Sequence, residues 1–139
     1  EECLFCQIVS GDIPGRIVYE DDATIAFLDV NPLSRGHTLV VPKTHRQRMD
    51  ELSGDEAAAL FRAVATVTPA VEAGVDAPAS TVAINNGREA GQEVPHVHVH
   101  VVPRRADDGV GPIHGLFRNP PDLDEGDMDD VEAAISGSL

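Results

Sequence analysis

Lysine is nearly absent from this chain of 139 residues: Lys43 is the single one, and the ten bases face 24 acids, a net charge of −14. A surface of that sign repels the phosphates of nucleic acids and of anionic membranes, so neither is expected as a partner. Abundant Asp and Glu with scarce Lys suit a protein that stays hydrated in concentrated salt, where the screening length shrinks to about 3 Å at 1 M; the composition predicts a halophilic host. Long apolar runs are missing too, and none reaches the eighteen residues of a membrane helix. The Glu1-Glu2 start lacks the basic head and apolar stretch of a signal peptide, which points to the cytoplasm. Two cysteines, Cys3 and Cys6, are too few and too close for the disulfide framework of a small secreted domain.

What is present reads as one modest core with a tail. Phe5 and Ile8 share one face of a short helix that ends near Gly11, and Pro14-Gly15 marks a turn. β-rich runs at 16–19 and 24–30, broken by Glu20-Asp21-Asp22, predict a hairpin that ends at Asn31-Pro32, and 37–41 predicts a strand closed by Pro42. Ser53-Gly54-Asp55-Glu56 is a capping box, followed by Ala57, Leu60, Phe61, Val64, Thr68 and Val71 at helical spacing. One long helix from about Gly54 to Gly74 is expected, with a kink or an early end at Pro69. Two further strands fall at 81–85 and 96–102, joined by a Gly-containing loop, which makes the fold class α+β with a mainly antiparallel sheet. From Asn119 to Leu139 there are seven acids and no Lys or Arg, a segment expected to pack loosely or to serve a partner.

His96, His98 and His100 alternate with Val97, Val99 and Val101, so a strand would turn three imidazoles to one face and the valines to the other. The valine face explains folding, because it can be buried under the long helix. The histidine face does not, and the spacing alone leaves zinc binding and catalysis both open. Just upstream, the loop from Asn85 to Pro95 carries Asn85, Gly91 and Gln92, whose amides and close-approaching backbone can hydrogen-bond a phosphate. Neutral donors suit a phosphorus centre that must pass through an anionic five-coordinate state without being trapped.

The three alternating histidines followed by two apolar residues resemble the signature of the histidine-triad family. Phe5-Cys6-Gln7-Ile8-Val9, Tyr19-Glu20-Asp21-Asp22, Ala26 to Pro32, Gly36-His37 through His45, and Ala90-Gly91-Gln92 resemble its other landmarks, in family order, from Cys3 to about Arg105. The resemblance implies a five-stranded, mainly antiparallel sheet with one long and one short helix, a family domain over residues 1–118 and an acidic tail over 119–139. It implies that His98 attacks the α-phosphorus through Nε2 while its other nitrogen donates to a backbone carbonyl, that His100 hydrogen-bonds the phosphoryl or bridging oxygen, and that Gln92 assists them. It implies a purine nucleotide or dinucleotide held by Phe5, Ile8, Phe27, Asp29, Asn85, Gly91, Gln92, Glu93, Val94, His98 and His100. By likeness to relatives among the galactose-1-phosphate uridylyltransferases, it implies a structural zinc on Cys3, Cys6, His45 and His96. It also implies a homodimer.

The expected activity is cleavage at the α-phosphate of nucleoside phosphoramidates or dinucleoside polyphosphates. The competing readings are a nucleotide-binding regulatory module that turns over slowly and a purely metal-binding protein. One residue departs from the family pattern: Glu93 stands where many members carry a small hydroxyl residue, and a carboxylate beside a phosphate is electrostatically unfavourable.

Overall fold

The computed structural model describes residues 3–139; Glu1 and Glu2, placed above at the head of the first domain, lie outside the described residues. The elements are α1 (Leu4–Ser10), β1 (Ile17–Glu20), β2 (Thr24–Leu28), β3 (Thr38–Pro42), α2 (Gly54–Gly74), β4 (Ala79–Ala83), β5 (Val99–Arg104) and α3 (Glu125–Ser136). The five strands form one sheet in the order β1-β2-β3-β5-β4, with every neighbouring pair antiparallel. This is the α+β architecture that the sequence predicts, with α3 in addition to the long and the short helix.

Local chemistry explains each turn of the path. Asp21 Oδ1 accepts the Ala23 and Thr24 N–H groups at 2.9 Å and so closes the β1–β2 hairpin. Ser53 Oγ accepts the Glu56 N–H at 3.1 Å while the Glu56 carboxylate accepts the Ser53 N–H at 2.9 Å, which starts α2. α2 then runs through Pro69 to Gly74. The helix survives there because Pro69 and Ala65, whose carbonyl loses its usual donor, both lie on the exposed face, where water can take the missing bond.

The sheet buries both of its faces. On one, Leu60, Ala63, Val64 and Val67 of α2 pack on Ala26, Val40, Val99 and Val101. On the other, Phe5 and Ile8 of α1 pack on Ile25, Phe27, Leu39 and Val41. Val99 and Val101 of β5 therefore face α2, and alternation turns His100 toward the face that carries α1. Phe61, expected in the apolar stripe of α2, is instead exposed.

β5 begins three residues later than its pattern suggests. Val99 and His100 pair with Val40 and Leu39 of β3, but Val97 donates its N–H to the Arg46 carbonyl at 2.7 Å, so residues 96–98 leave the ladder and attach to the loop beyond β3. Two compact units emerge, the first closing at Asp108 and the second running Gly109–Leu139. The family domain expected over 1–118 and the tail over 119–139 divide the chain ten residues later than these units do. Among the described residues no helix is long and apolar enough to cross a membrane.

Candidate active site and metal cluster

Three histidines meet beside the cleft, His37, His98 and His100, and their hydrogen bonds assign their protons. His98 is 8% exposed, and its Nδ1 lies 2.8 Å from the His96 carbonyl. A carbonyl only accepts, so Nδ1 carries the proton and Nε2 keeps its lone pair. Phe5 sets its ring edge-on to His98 at a centroid distance of 5.0 Å. Burial pushes the His98 pKa below the ordinary histidine value, only partly opposed by the His96 carbonyl and the Asp29 charge, which keeps the imidazole neutral.

His100 is set by His37, which the sequence offers as the head of a strand and as part of a family landmark, with no role of its own. The Leu33 N–H donates to His37 Nδ1 at 3.0 Å, so the His37 proton sits on Nε2 and points at His100 Nδ1, 2.9 Å away. His100 is thereby left with its own proton on Nε2, a fixed donor. Burial, followed by the charges of His98 and His37, lowers the His100 pKa to about 4. Asp29 Oδ2 stands 3.6 Å from His37 Nε2. The signal for His37 was its place in the Gly36-His37 landmark just before β3, where the register sets Leu39 against His100; nothing local shows that it orients His100.

These groups open on a cleft of about 510 Å³ lined by Phe5, Ile8, Phe27, Asp29, Asn85, Gly91, Glu93, Val94, His98 and His100. A volume of this size suits a small ligand such as a mononucleotide. Phe5, Ile8 and Phe27 belong to the core as well as to the cleft wall. Among the described residues, the Asn85 side chain has no protein partner and is free for a ligand. Gln92 is placed otherwise than expected. It does not line the cleft: its Oε1 accepts the Gly87 N–H at 2.8 Å, and its Nε2 donates to the Gln47 and Val94 carbonyls at 2.7 and 3.0 Å. With both donors and the acceptor engaged, its side chain shapes the loop and has no hydrogen left for a phosphate.

Behind the cleft, Cys3, Cys6, His45 and His96 converge, with all four ligand atoms within 4.8 Å of one another. His96 is fully buried and its Nε2 donates to the Pro42 carbonyl at 2.8 Å, leaving Nδ1 unprotonated and facing the cysteines. The His45 and His96 Nδ1 atoms are 3.2 Å apart, and the sulfur-to-nitrogen separations are 3.4, 3.4 and 3.6 Å. Around a tetrahedral zinc with ordinary bond lengths those edges are about 3.3 Å and about 3.6 Å respectively. The residues therefore fit the ion.

Asp29, His37 and His100 also converge, but they do not fit one. A metal on His37 Nε2 would require the proton to move to Nδ1, against the Leu33 N–H that already donates there. In that trio His37 is hydrogen-bonded to His100, and the Asp29 carboxylate stands beside them.

An antiparallel α+β sheet that carries neutral, tautomer-fixed imidazoles over an open cleft defines a histidine-site protein of one recognisable kind. The chain belongs to the histidine-triad family, whose HIT-domain model matches residues 10–107. It is 48% identical over 124 residues to an uncharacterized HIT-like protein of Methanocaldococcus jannaschii, covering 88% of this chain and 94% of that one. It is 43% identical over 113 residues to the adenosine 5'-monophosphoramidase of Schizosaccharomyces pombe, covering 78% and 81%. Among solved structures it resembles a HIT-family protein of Bacillus subtilis, with TM-score 0.90, 36% identity and coverage of 100% and 98%. It also resembles a zinc-bound histidine-triad protein of Mycobacterium smegmatis, with TM-score 0.75, 36% identity and coverage of 99% and 98%.

Proposed function

We propose that this protein is a nucleotidyl hydrolase or transferase that cleaves at the α-phosphate of nucleoside phosphoramidates or dinucleoside polyphosphates through a nucleotide bound covalently to His98. The observation that carries the reading is the buried His98 imidazole, neutral and pinned through Nδ1 to the His96 carbonyl, which leaves Nε2 as the free nucleophile on the cleft. In the first step Nε2 bonds to phosphorus and the bond to the leaving atom breaks, taking its electron pair. In the second, water attacks phosphorus and the P–N bond to His98 breaks. The two hydrogens of that water end on the leaving group and, as a proton, on the phosphate product or in solvent.

Phe5, Ile8, Phe27 and Val94 supply apolar walls for a purine base, and Asp29 an acceptor for ribose hydroxyls. Asn85, the Gly91 and Glu93 backbone and the His100 Nε2–H supply donors for the phosphate. Zinc on Cys3, Cys6, His45 and His96 is structural in this reading, because four protein ligands leave no position for water. The chain pairs as a homodimer in the same reading, and its charge suits a salt-rich cytoplasm.

Rapid quenching with an α-labelled nucleoside phosphoramidate tests the proposal. A labelled protein adduct is expected from the native chain and none from His98→Asn; an adduct that persists in the variant overturns it.

A further inference from the structure

The charge of the cleft bears on which leaving group it accepts. Arg16 is the only lysine or arginine in its lining, whereas Asp29 and Glu93 both face it. His37 and His100 add no positive charge, since each carries a single proton: His37 Nδ1 accepts the Leu33 N–H and His100 Nδ1 accepts from His37 Nε2. Asp29 accepts the Asn31 N–H at 2.9 Å, stands beside His37 and is assigned above to the ribose. Glu93 is exposed and has no hydrogen-bond or ion-pair partner among the described residues.

The position of Glu93 is nevertheless held. The Gln92 side chain is fastened to three backbone groups, Val94 packs against the Phe5 cluster, and the Val94 carbonyl accepts the His96 N–H at 2.8 Å. Between these held neighbours, Glu93 is exposed and lines the cleft. An unpaired carboxylate on a held loop is a fixed negative charge where the substrate enters.

We infer that Glu93 selects the leaving group, favouring nucleoside phosphoramidates whose departing amine carries positive charge and disfavouring those whose leaving group is a polyphosphate. The inference rests on the function proposed above and narrows it. The phosphoramidate nitrogen takes up a proton before the P–N bond breaks and carries positive charge until it leaves as the neutral amine; a nearby carboxylate stabilises that charge, as it does any further ammonium that the amine bears. A departing nucleoside di- or triphosphate accumulates negative charge and is repelled by the same group. One cation, Arg16, is too few to neutralise a polyphosphate chain.

The test compares kcat/KM for three substrates: an adenosine 5'-phosphoramidate whose amine bears a second ammonium, its neutral isostere, and diadenosine tetraphosphate. The native chain is expected to favour the ammonium-bearing substrate over the isostere by about tenfold at about 0.1 M salt, with the ratio narrowing at about 1 M as screening sets in. Glu93→Gln is expected to bring that ratio near one, and Glu93→Lys to invert it and to raise the relative rate on diadenosine tetraphosphate. A ratio that is the same in the native chain and both variants overturns the role of Glu93 while leaving His98 chemistry in place. Failure of the native chain to cleave any of the three, with no adduct on His98, overturns the functional reading and this inference together.

Discussion

A free lone pair on His98 exists only while the imidazole is unprotonated, so burial decides how the molecule answers acid. His37, His98 and His100 all sit below the ordinary histidine value in the folded chain, chiefly through burial, His100 at about 4. Each binds a proton more readily when unfolded. The stability they contribute is therefore complete above about 6.5 and is lost as the pH falls through that value toward the folded ones. The reaction follows the same sign, and the acid limb of kcat/KM should break below 6.5, the ordinary histidine value. A pH–rate profile checks this, and a break at or above that value would show that His98 is not shielded. At this scale the alternation of His98 and His100 was legible in the sequence. His37 was not, because its role comes from a register 63 residues away. The orientation of Gln92 was hidden too, since nothing local distinguishes an amide that braces a loop from one that faces a ligand.

α1 is only seven residues long and depends on tertiary contacts to persist. It carries one of the four metal ligands, Cys6, with a second, Cys3, at its N-cap, and two walls of the cleft, Phe5 and Ile8. Cys6→Ser, or removal of metal from the native chain, should therefore lower thermal stability and raise KM for the nucleotide more than it lowers kcat, since His98 is held by its own backbone bond. Elemental analysis should give about one zinc per native chain. A native protein without metal, equally stable in chelator, would refute the cluster's role. The hairpin and α2 could be read from turn chemistry and the capping box. The late start of β5 could not, because alternation continues through His96 and His98 although Arg46 draws that backbone away from the sheet. α3 rests on a cap that composition hides: the Asp124 side chain accepts the Asp127 N–H at 2.8 Å and begins a helix inside a segment that composition alone describes as solvated acid.

For the whole molecule the governing quantity is the net charge of −14. Repulsion among those charges opposes both the compact state and the pairing of two chains, and molar salt cuts its range to about 3 Å. The proposed homodimer should tighten with salt and loosen as salt is withdrawn, and the thermal midpoint should rise along the same series. Sedimentation across the series separates the parts of the argument: a monomer throughout would refute the dimer, and a dimer indifferent to salt would refute the charge argument alone. The acidic composition was plain in the sequence, whereas the second unit's exposed apolar residues, Met128, Val131 and Ile135 along α3, needed the fold to be seen as unburied.

Arg46 joins parts of this molecule that the chain keeps far apart. Its guanidinium donates to both Glu56 carboxylate oxygens, at 3.0 and 2.8 Å, its carbonyl holds the Val97 N–H, and His45 precedes it. The same Glu56 closes the cap of α2, so one side chain links the first turn of the long helix to the metal cluster. The Val97 amide hydrogen thus becomes a sensor buried midway between the two. In deuterated water it should be among the slowest to exchange in the zinc-loaded protein. Chelation should accelerate it together with the N-terminal amides of α2, a paired loss of protection that appears before the strands themselves begin to exchange.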